Sequence, residues 1–240
     1  MAVLFDAKAT VEVHAEDVDT ANLDLTGLTI GAGSNRVLVA TIAIHDINPP
    51  PVFTVTWDPT GTPQGLTLIT SINNGNNYTY LYGLVNPASG NKTLRMSTTG
   101  AHTEVFLDAA SFTGADQTGG ATTFANAATN TGTSTAPSVV IASAVGNMTI
   151  DSVNAPQVIN TPTMTEIYSK NDGVLTSAAA SYGDGSASNT HQWALGASVA
   201  WASCGCDGGD CGLLGSGHRQ RATAVAKLAG SGGDGQHDAA

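Results

Sequence analysis

Charged side chains are scarce in this sequence. Only 11% of the 240 residues are charged, and eight Lys and Arg oppose 19 Asp and Glu, which gives a net charge of −11. A general nucleic-acid binder needs many cations to neutralise phosphates, and docking on an anionic membrane requires similar basic clusters. The composition therefore argues against both classes. With so few charges, the surface must consist largely of Thr, Ser, Asn and Gly.

Long apolar segments are also missing. The longest aliphatic run, Val37 to Ile44, has eight residues, whereas a membrane-spanning helix needs about 20. The first 20 residues do not combine a basic stretch with the apolar stretch of a secretory signal peptide. We therefore expect a soluble product of the cytoplasm, which would reach the exterior by cell lysis or by a route that uses no such signal.

Cysteine is rare, with three residues at 204, 206 and 211 in the spacing C-x-C-x4-C. A chain of this length can bury a sufficient core without disulfides. A structural zinc site normally has four ligands from paired units, so Cys204, Cys206 and Cys211 would need a fourth, for which His218 is a candidate. One disulfide with a free thiol, and reduced thiols without a role, are equally allowed.

The sequence lacks the common motifs of catalysis and cofactor binding. It contains no G-x-S-x-G, no H-E-x-x-H, no G-x4-G-K and no G-x-G-x-x-G after a strand. The six histidines are scattered, and the pair His45-Asp46 has no adjacent nucleophile. We therefore expect a non-enzymatic protein with no cofactor. Carboxylates brought together only by folding, as in glycosidases, are the remaining enzymatic alternative.

What the sequence has in abundance is short segments of alternating apolar and polar residues, separated by turns rich in Gly, Pro and Asn. This pattern predicts an all-β fold, an antiparallel β-sandwich. The predicted strands are Thr10–Val13, Leu23–Ile30, Arg36–Ile44, Val52–Trp57, Leu66–Ser71, Tyr78–Val85, Thr93–Ser97, Glu104–Phe112, Ser138–Ser143, Met148–Val153, Thr165–Ser169, Thr176–Tyr182 and Gln192–Trp201.

The predicted organisation has three parts. Residues 1–33 form N-terminal strands or an arm that joins the sandwich, residues 34–201 form the sandwich, and residues 202–240 form a Cys- and Gly-rich tail. The tail contains too few large apolar residues for a core of its own. Its basic residues Arg219, Arg221 and Lys227 could dock a short helix on a partner, but the composition favours a disordered tail.

Three tyrosines alternate along one predicted strand. Tyr78, Tyr80 and Tyr82 share one face, and together with Trp57 they could stack against sugar rings. The alternative is half-buried packing, which the preference of Tyr for partly covered sheet surfaces favours.

Several segments occur in a familiar order: "SNRVLVATIAIHD", "YTYLYGLVNPASGNKTLRM", "VFLDAASFTGADQTG" and "HQWALGASVAW". Over Ser34 to Trp201, about 70% of the chain, the sequence resembles a β-sandwich module found in bacterial surface or secreted proteins and in phage structural proteins. The resemblance implies a jelly-roll-like sandwich without an established enzymatic activity, and it supplies no catalytic residues. The longer "WDPTGTPQG" loop and the Cys-containing tail depart from the pattern.

These observations favour a structural protein on the virion surface of a tailed bacteriophage, most specifically a capsid decoration (cement) protein. The expected partners are the major capsid protein or other virion proteins and further copies of the chain, with no nucleic acid and no membrane. The alternatives are a tail-fibre component, or a carbohydrate-binding adhesin on a bacterial surface that binds host glycans.

Overall fold

The computed structural model describes residues 2–11, 13–18, 22–46, 52–100, 102–171 and 176–209. In these ranges the secondary structure consists of 19 β-strands and one short 3-10 helix, with no α-helix. Every strand pair is antiparallel, and the sheets pack face to face. The predicted all-β antiparallel sandwich class is therefore confirmed. Among the described residues no helix has the length and apolarity needed to cross a membrane.

The strands fall into two consecutive groups. The first unit contains β1 (Leu4–Lys8), β2 (Val13–Val18), β3 (Asn22–Ile30), β4 (Val37–His45), β5 (Phe53–Trp57), β6 (Gln64–Gly65), β7 (Thr67–Asn74), β8 (Asn77–Val85), β9 (Gly90–Thr98) and β10 (His102–Thr113). After the 3-10 helix Gly120–Thr123, the second unit contains β11 (Phe124–Ser134), β12 (Ser138–Ile141), β13 (Met148–Ala155), β14 (Ile159–Asn160), β15 (Thr165–Asn171), β16 (Ser177–Asp184), β17 (Asn189–Gln192), β18 (Ala194–Leu195) and β19 (Val199–Gly208).

The sheets form a stack of four layers. A four-stranded sheet, β3-β9-β5-β6, covers one face of the sheet β1-β10-β4-β8-β7, to which β2 adds by pairing with β10. The other face packs against the five-stranded sheet β11-β19-β13-β16-β15. The small sheets β12-β17 and β14-β18 contribute the residues that cover the far side of that sheet. Where the sequence predicts one sandwich, the structure therefore has two that share an interface.

The two units repeat one topology. The order β1-β10-β4-β8-β7 in the first unit has the same pattern as β11-β19-β13-β16-β15 in the second. The covering layers also correspond strand by strand. β12 takes the position of β3, β14 takes that of β5, and β17 and β18 together take that of β9. Even the irregularity recurs, since β7 and β15 each carry a register shift where they pair with β8 and β16. The fold is thus a tandem repeat of one sandwich.

The shared interface makes the middle strands unusual, because they are buried on both faces. All the residues of β13 and all but the last of β4 are buried. In β4 these residues are mostly aliphatic, whereas β13 buries Thr149, Asp151, Ser152 and Asn154. Buried polar groups need hydrogen-bond partners, and several of these partners lie in the other unit.

Direct hydrogen bonds join the two units. Thr79 donates through its hydroxyl to the Ser152 hydroxyl at 2.8 Å. The Asn154 amide donates to the backbone carbonyls of Tyr78 at 2.9 Å and Ile44 at 3.1 Å. These bonds add directionality to the apolar packing between the units, and they fix how one sheet lies on the other.

The final strand extends beyond the predicted end of the sandwich. The sequence placed the boundary at Trp201, but β19 continues to Gly208 because its small residues fit between β11 and β13. The single predicted strand Gln192–Trp201 is in fact divided among β17, β18 and β19. The basic tail residues Arg219, Arg221 and Lys227 lie outside the described residues.

Candidate functional site

The four aromatic residues considered for glycan stacking do not form an exposed platform. Trp57 is 0% exposed, and its indole nitrogen donates to the carbonyl of Ala88 at 2.9 Å. Tyr80 is buried, with burial raising its pKa, and Tyr78 and Tyr82 are half-buried in the same core. Because the first-unit core covers these rings, the packing interpretation describes them better than the stacking one.

The thiols of Cys204 and Cys206 lie in the protein core rather than in a tail. Both are free, fully buried and part of the cluster between the two units. Burial raises the pKa of the Cys206 thiol to about 12 and that of Cys204 further still. Thiols that stay protonated are poor nucleophiles and poor metal ligands. Cys211, the third member of the proposed cluster, lies outside the described residues.

One buried array has the order of a catalytic triad. The Asp46 carboxylate lies 3.0 Å from Nδ1 of His102, and Nε2 of His102 lies 2.5 Å from the Thr98 hydroxyl. All three residues are buried. The Thr98 hydroxyl also accepts a hydrogen bond from the amide of Gly100 at 3.4 Å. These contacts secure the connection from β9 to β10.

A second buried network lies in the other unit. Asp151 accepts hydrogen bonds from the Ser181 hydroxyl at 2.7 Å and from the Trp193 indole at 2.8 Å. His191 contacts Ser181 through Nδ1 and Thr149 through Nε2, each at 2.9 Å. Because every one of these side chains is buried, the network holds the covering layer on the five-stranded sheet.

The carboxylate of Asp207 anchors loops at the end of the second unit. It accepts hydrogen bonds from Ser143 at 2.7 Å, Asn147 at 2.8 Å and Asn126 at 3.4 Å. Burial raises the pKa of Asp207, which these three donors partly offset. The Asp207 carboxylate therefore holds these segments in place, which is a structural role.

A more accessible cluster lies where β2 pairs with β10. Nε2 of His14 is 2.6 Å from Oε1 of Glu104, and a carboxylate oxygen of Glu16 lies within 4.8 Å of both ligand atoms. Glu104 is fully buried, His14 is half-buried and Glu16 is exposed, so the cluster opens to solvent on one side. We call His14, Glu16 and Glu104 the edge cluster. Its atoms are of the types that bind divalent metals.

Pairing across three strands builds the edge cluster. Glu104 is directly opposite Glu16 in β2 and directly opposite His45 in β4. The ring of His14 stacks on Phe106, with centroids 4.6 Å apart and an interplanar angle of 12°. This stacking fixes the direction of the imidazole, so that its Nε2 points to Glu104.

Sequence reasoning missed the edge cluster for an identifiable reason. Glu16 and Glu104 belong to no recognisable motif, and His14 and Glu104 are 90 positions apart in the chain. Only the register of β2 against β10 brings them together. The prediction Thr10–Val13 ended this strand too early, whereas β2 begins at Val13 and contains both His14 and Glu16.

The motifs behind the resemblance to surface modules take structural positions. "NPASG" joins β8 to β9, with positive φ at Asn86 and Gly90. "SFTGADQ" ends β10 and leads into the second unit, with positive φ at Gly114. No family model matches the chain, and neither the search of curated proteins nor that of solved structures finds a match.

Proposed function

We propose that this protein is a non-enzymatic structural component of a virion, and specifically a decoration protein on the outer surface of a tailed-phage capsid. The observation that supports this most is the tandem sandwich with its shared core. Sheets buried on both faces resist local opening, and resistance to opening is what a protein that reinforces a shell requires.

The surface chemistry supports the same proposal. The chain has a net charge of −11 and only eight basic residues. An acidic surface repels nucleic acid and favours solubility at the high local concentration of an assembled shell. These properties suit an outward-facing protein better than one in contact with a packaged genome.

Exposed strand edges offer places for partners to bind. β11 lies at the edge of its sheet in the strand order and exposes six of its eleven residues, most of them Thr, Asn or Ala. Edge strands can pair with another chain through their free backbone groups. We propose that such edges mediate contacts with the major capsid protein, other virion proteins or further copies of this chain.

The decisive experiment is quantitative mass spectrometry of virus particles purified by density from the source culture. The quantity to obtain is the number of copies of this chain per copy of the major capsid protein. A ratio near one, or a simple fraction such as a third, is expected for a decoration protein. A few copies per particle would instead assign the chain to the tail or a fibre.

Absence from purified particles would refute the virion proposal altogether. A glycan array would then test the alternative of a surface adhesin. In that experiment Tyr78→Ala and Tyr82→Ala are the informative variants, because these two residues are half-buried whereas Trp57 and Tyr80 are buried. Glycan binding that survives both substitutions would require a surface other than the tyrosine face.

A further inference from the structure

We propose that His14, Glu16 and Glu104 bind a divalent transition-metal ion, with Zn²⁺ the best match. The imidazole nitrogen of His14 and one carboxylate oxygen from each glutamate would be its ligands. The proposal is independent of the virion function, since it rests only on the geometry between β2 and β10.

The ligand atoms already converge. The pair formed by Nε2 of His14 and Oε1 of Glu104 is 2.6 Å apart, and the Glu16 oxygen is within 4.8 Å of both. Tetrahedral ligands at about 2.0–2.1 Å from zinc are roughly 3.3 Å apart. Binding therefore requires the His14–Glu104 pair to separate by about 0.7 Å and the Glu16 oxygen to approach by up to about 1.5 Å. Glu16 is exposed and can make this movement without disturbing the core.

Electrostatics supply a reason for a cation at this position. Glu16 and Glu104 are directly opposite each other in the ladder, an arrangement in which two carboxylates repel. Glu104 is also buried, where a carboxylate needs polar partners. A divalent ion coordinated by both carboxylates would relieve this repulsion.

The surroundings preorganise the site. Phe106 holds the His14 ring by stacking, and β10 holds Glu104 between two paired strands. Preorganised ligands lose less conformational freedom when the ion binds. The exposed side of the cluster leaves a coordination position for water, as is common where the protein supplies three ligands.

The combination of one nitrogen ligand and two oxygen ligands determines which metal the site favours. Imidazole suits Zn²⁺, whereas Mg²⁺ and Ca²⁺ prefer sites made entirely of oxygen atoms. A bound ion would join β2 to β10 through side chains in addition to the ladder hydrogen bonds. The predicted role is therefore a clip that holds the β2 edge in place.

The test is calorimetric titration of the full chain with Zn²⁺ after removal of metals with a chelator. We expect one tight site per chain. Glu16→Gln should weaken binding at least about tenfold, the lower range of effects seen even for residues that only support ligands. The thermal midpoint of the unsubstituted protein should rise with Zn²⁺, and that of the variant should rise less at the same concentration.

Two controls make the result specific. Glu166→Gln changes an exposed glutamate on another edge strand, β15, and should leave the Zn²⁺ affinity within twofold. Cys211→Ser should also leave it unchanged, which separates the edge cluster from thiol binding. Because Glu16 is exposed, its variant should fold normally, and equal midpoints without metal would verify this.

Three results would overturn the proposal. They are no Zn²⁺ binding at millimolar concentration, equal affinity in Glu16→Gln and the unsubstituted chain, or loss of binding in Cys211→Ser. Binding of Ca²⁺ or Mg²⁺ as tight as that of Zn²⁺ would overturn the assignment to a transition metal. His14→Ala provides an independent second variant, with the same loss of affinity expected.

Discussion

Single ion pairs on the covering sheet of the first unit illustrate how this chain uses its few charges. Arg95 is directly opposite Asp24 and binds its carboxylate through two nitrogens, each at 2.6 Å. Lys92 binds the Asp58 carboxylate at 2.6 Å. These hydrogen bonds lower the pKa of both aspartates. Two of the eight basic residues thus have assigned partners on one sheet.

The two pairs provide reciprocal controls for a pH prediction. Lys92→Met should raise the pKa of Asp58 toward its ordinary value and leave that of Asp24 unchanged. Arg95→Met should raise the pKa of Asp24 toward its ordinary value and leave that of Asp58 unchanged. Because both pKa values are lowered in the folded state, each pair contributes stability above the ordinary aspartate pKa of 3.8 and loses it as the pH falls through the lowered value.

Carboxyl carbon NMR titrations of the two variants and the unsubstituted protein measure these shifts directly. Some lowering of the Asp58 pKa should persist in Lys92→Met, since the amide of Thr62 still donates to that carboxylate at 3.1 Å. An unchanged Asp58 pKa after Lys92→Met would contradict the assigned pairing.

The buried thiols lead to a second prediction at this scale. In a Cys211→Ser chain, Cys204 and Cys206 should not react with a thiol reagent at neutral pH under native conditions, because burial excludes the reagent and raises the pKa of each thiol. Both should react after denaturation. Fast labelling of the native protein, followed by mass spectrometry, would show instead that β19 opens readily or is not a core strand.

Residue type predicted the burial of some of these side chains but not of others. Packing was the favoured interpretation of Tyr80, because Tyr prefers partly covered sheet surfaces, whereas Trp57 was considered for glycan stacking. Cys204 and Cys206 were assigned to a tail because Gly and Asp surround them. Their burial depends on Gly205, where a Cβ would lie 2.4 Å from Ile141, so small residues are needed for close packing. Composition alone does not distinguish such packing from a disordered segment.

Between structural elements, Gly83 in β8 is a point where the two units pack tightly. A Cβ built there would lie 2.3 Å from the ring of Phe124, the first residue of β11. We therefore expect Gly83→Ala to destabilise the protein by about 1–3 kcal/mol, the usual range for overpacking. Chemical denaturation of the full chain measures this difference in the free energy of unfolding.

Gly65→Ala is the matched control, because nothing lies within 4 Å of a Cβ at Gly65. Its effect should stay within about 0.5 kcal/mol, as for other surface substitutions. A double-mutant cycle sharpens the test: Gly83→Ala should cost much less in a Phe124→Ala background, with a coupling of about 0.5–3 kcal/mol. Equal costs in both backgrounds would mean that Gly83 and Phe124 are not in contact.

Element prediction succeeded where apolar alternation was strong. β4, β8 and β10 match predicted strands to within about two residues, since each carries large aliphatic or aromatic side chains. β11 was missed because "FANAATNTGTS" has almost no large apolar residues. It is a strand because β19 supplies its hydrogen-bond partners along nearly its whole length. Tertiary pairing of this kind leaves no periodic signal in the sequence.

At the scale of the whole molecule, the tandem repeat was invisible in the sequence for a related reason. The corresponding middle strands are β4, "VLVATIAIH", and β13, "MTIDSVNA", which share a position in the fold but little chemistry. The first unit fills its core with aliphatic residues, whereas the second relies on buried networks such as that of Asp151. Topology has been kept while the means of stabilising it differ.

This shared architecture predicts that the two units unfold together. The cluster between them contains Phe106 and Phe112 from the first unit and Ile150 and Cys206 from the second, all almost fully buried. Separation would expose this surface and break the bond between Thr79 and Ser152. Scanning calorimetry should therefore show one transition, with calorimetric and van't Hoff enthalpies that agree.

Substitutions in the outermost cores test this prediction most stringently. Leu94→Ala lies in the core of the first unit, and Trp193→Ala lies in that of the second, far from the shared cluster in each case. Each should cost about 2–5 kcal/mol and lower the midpoint by roughly 2–4 °C per kcal/mol for a chain of this size. If the units are coupled, either variant should shift the whole transition without dividing it. Two separate transitions, with Trp193→Ala moving only one of them, would mean that each sandwich folds independently and that the shared core contributes little.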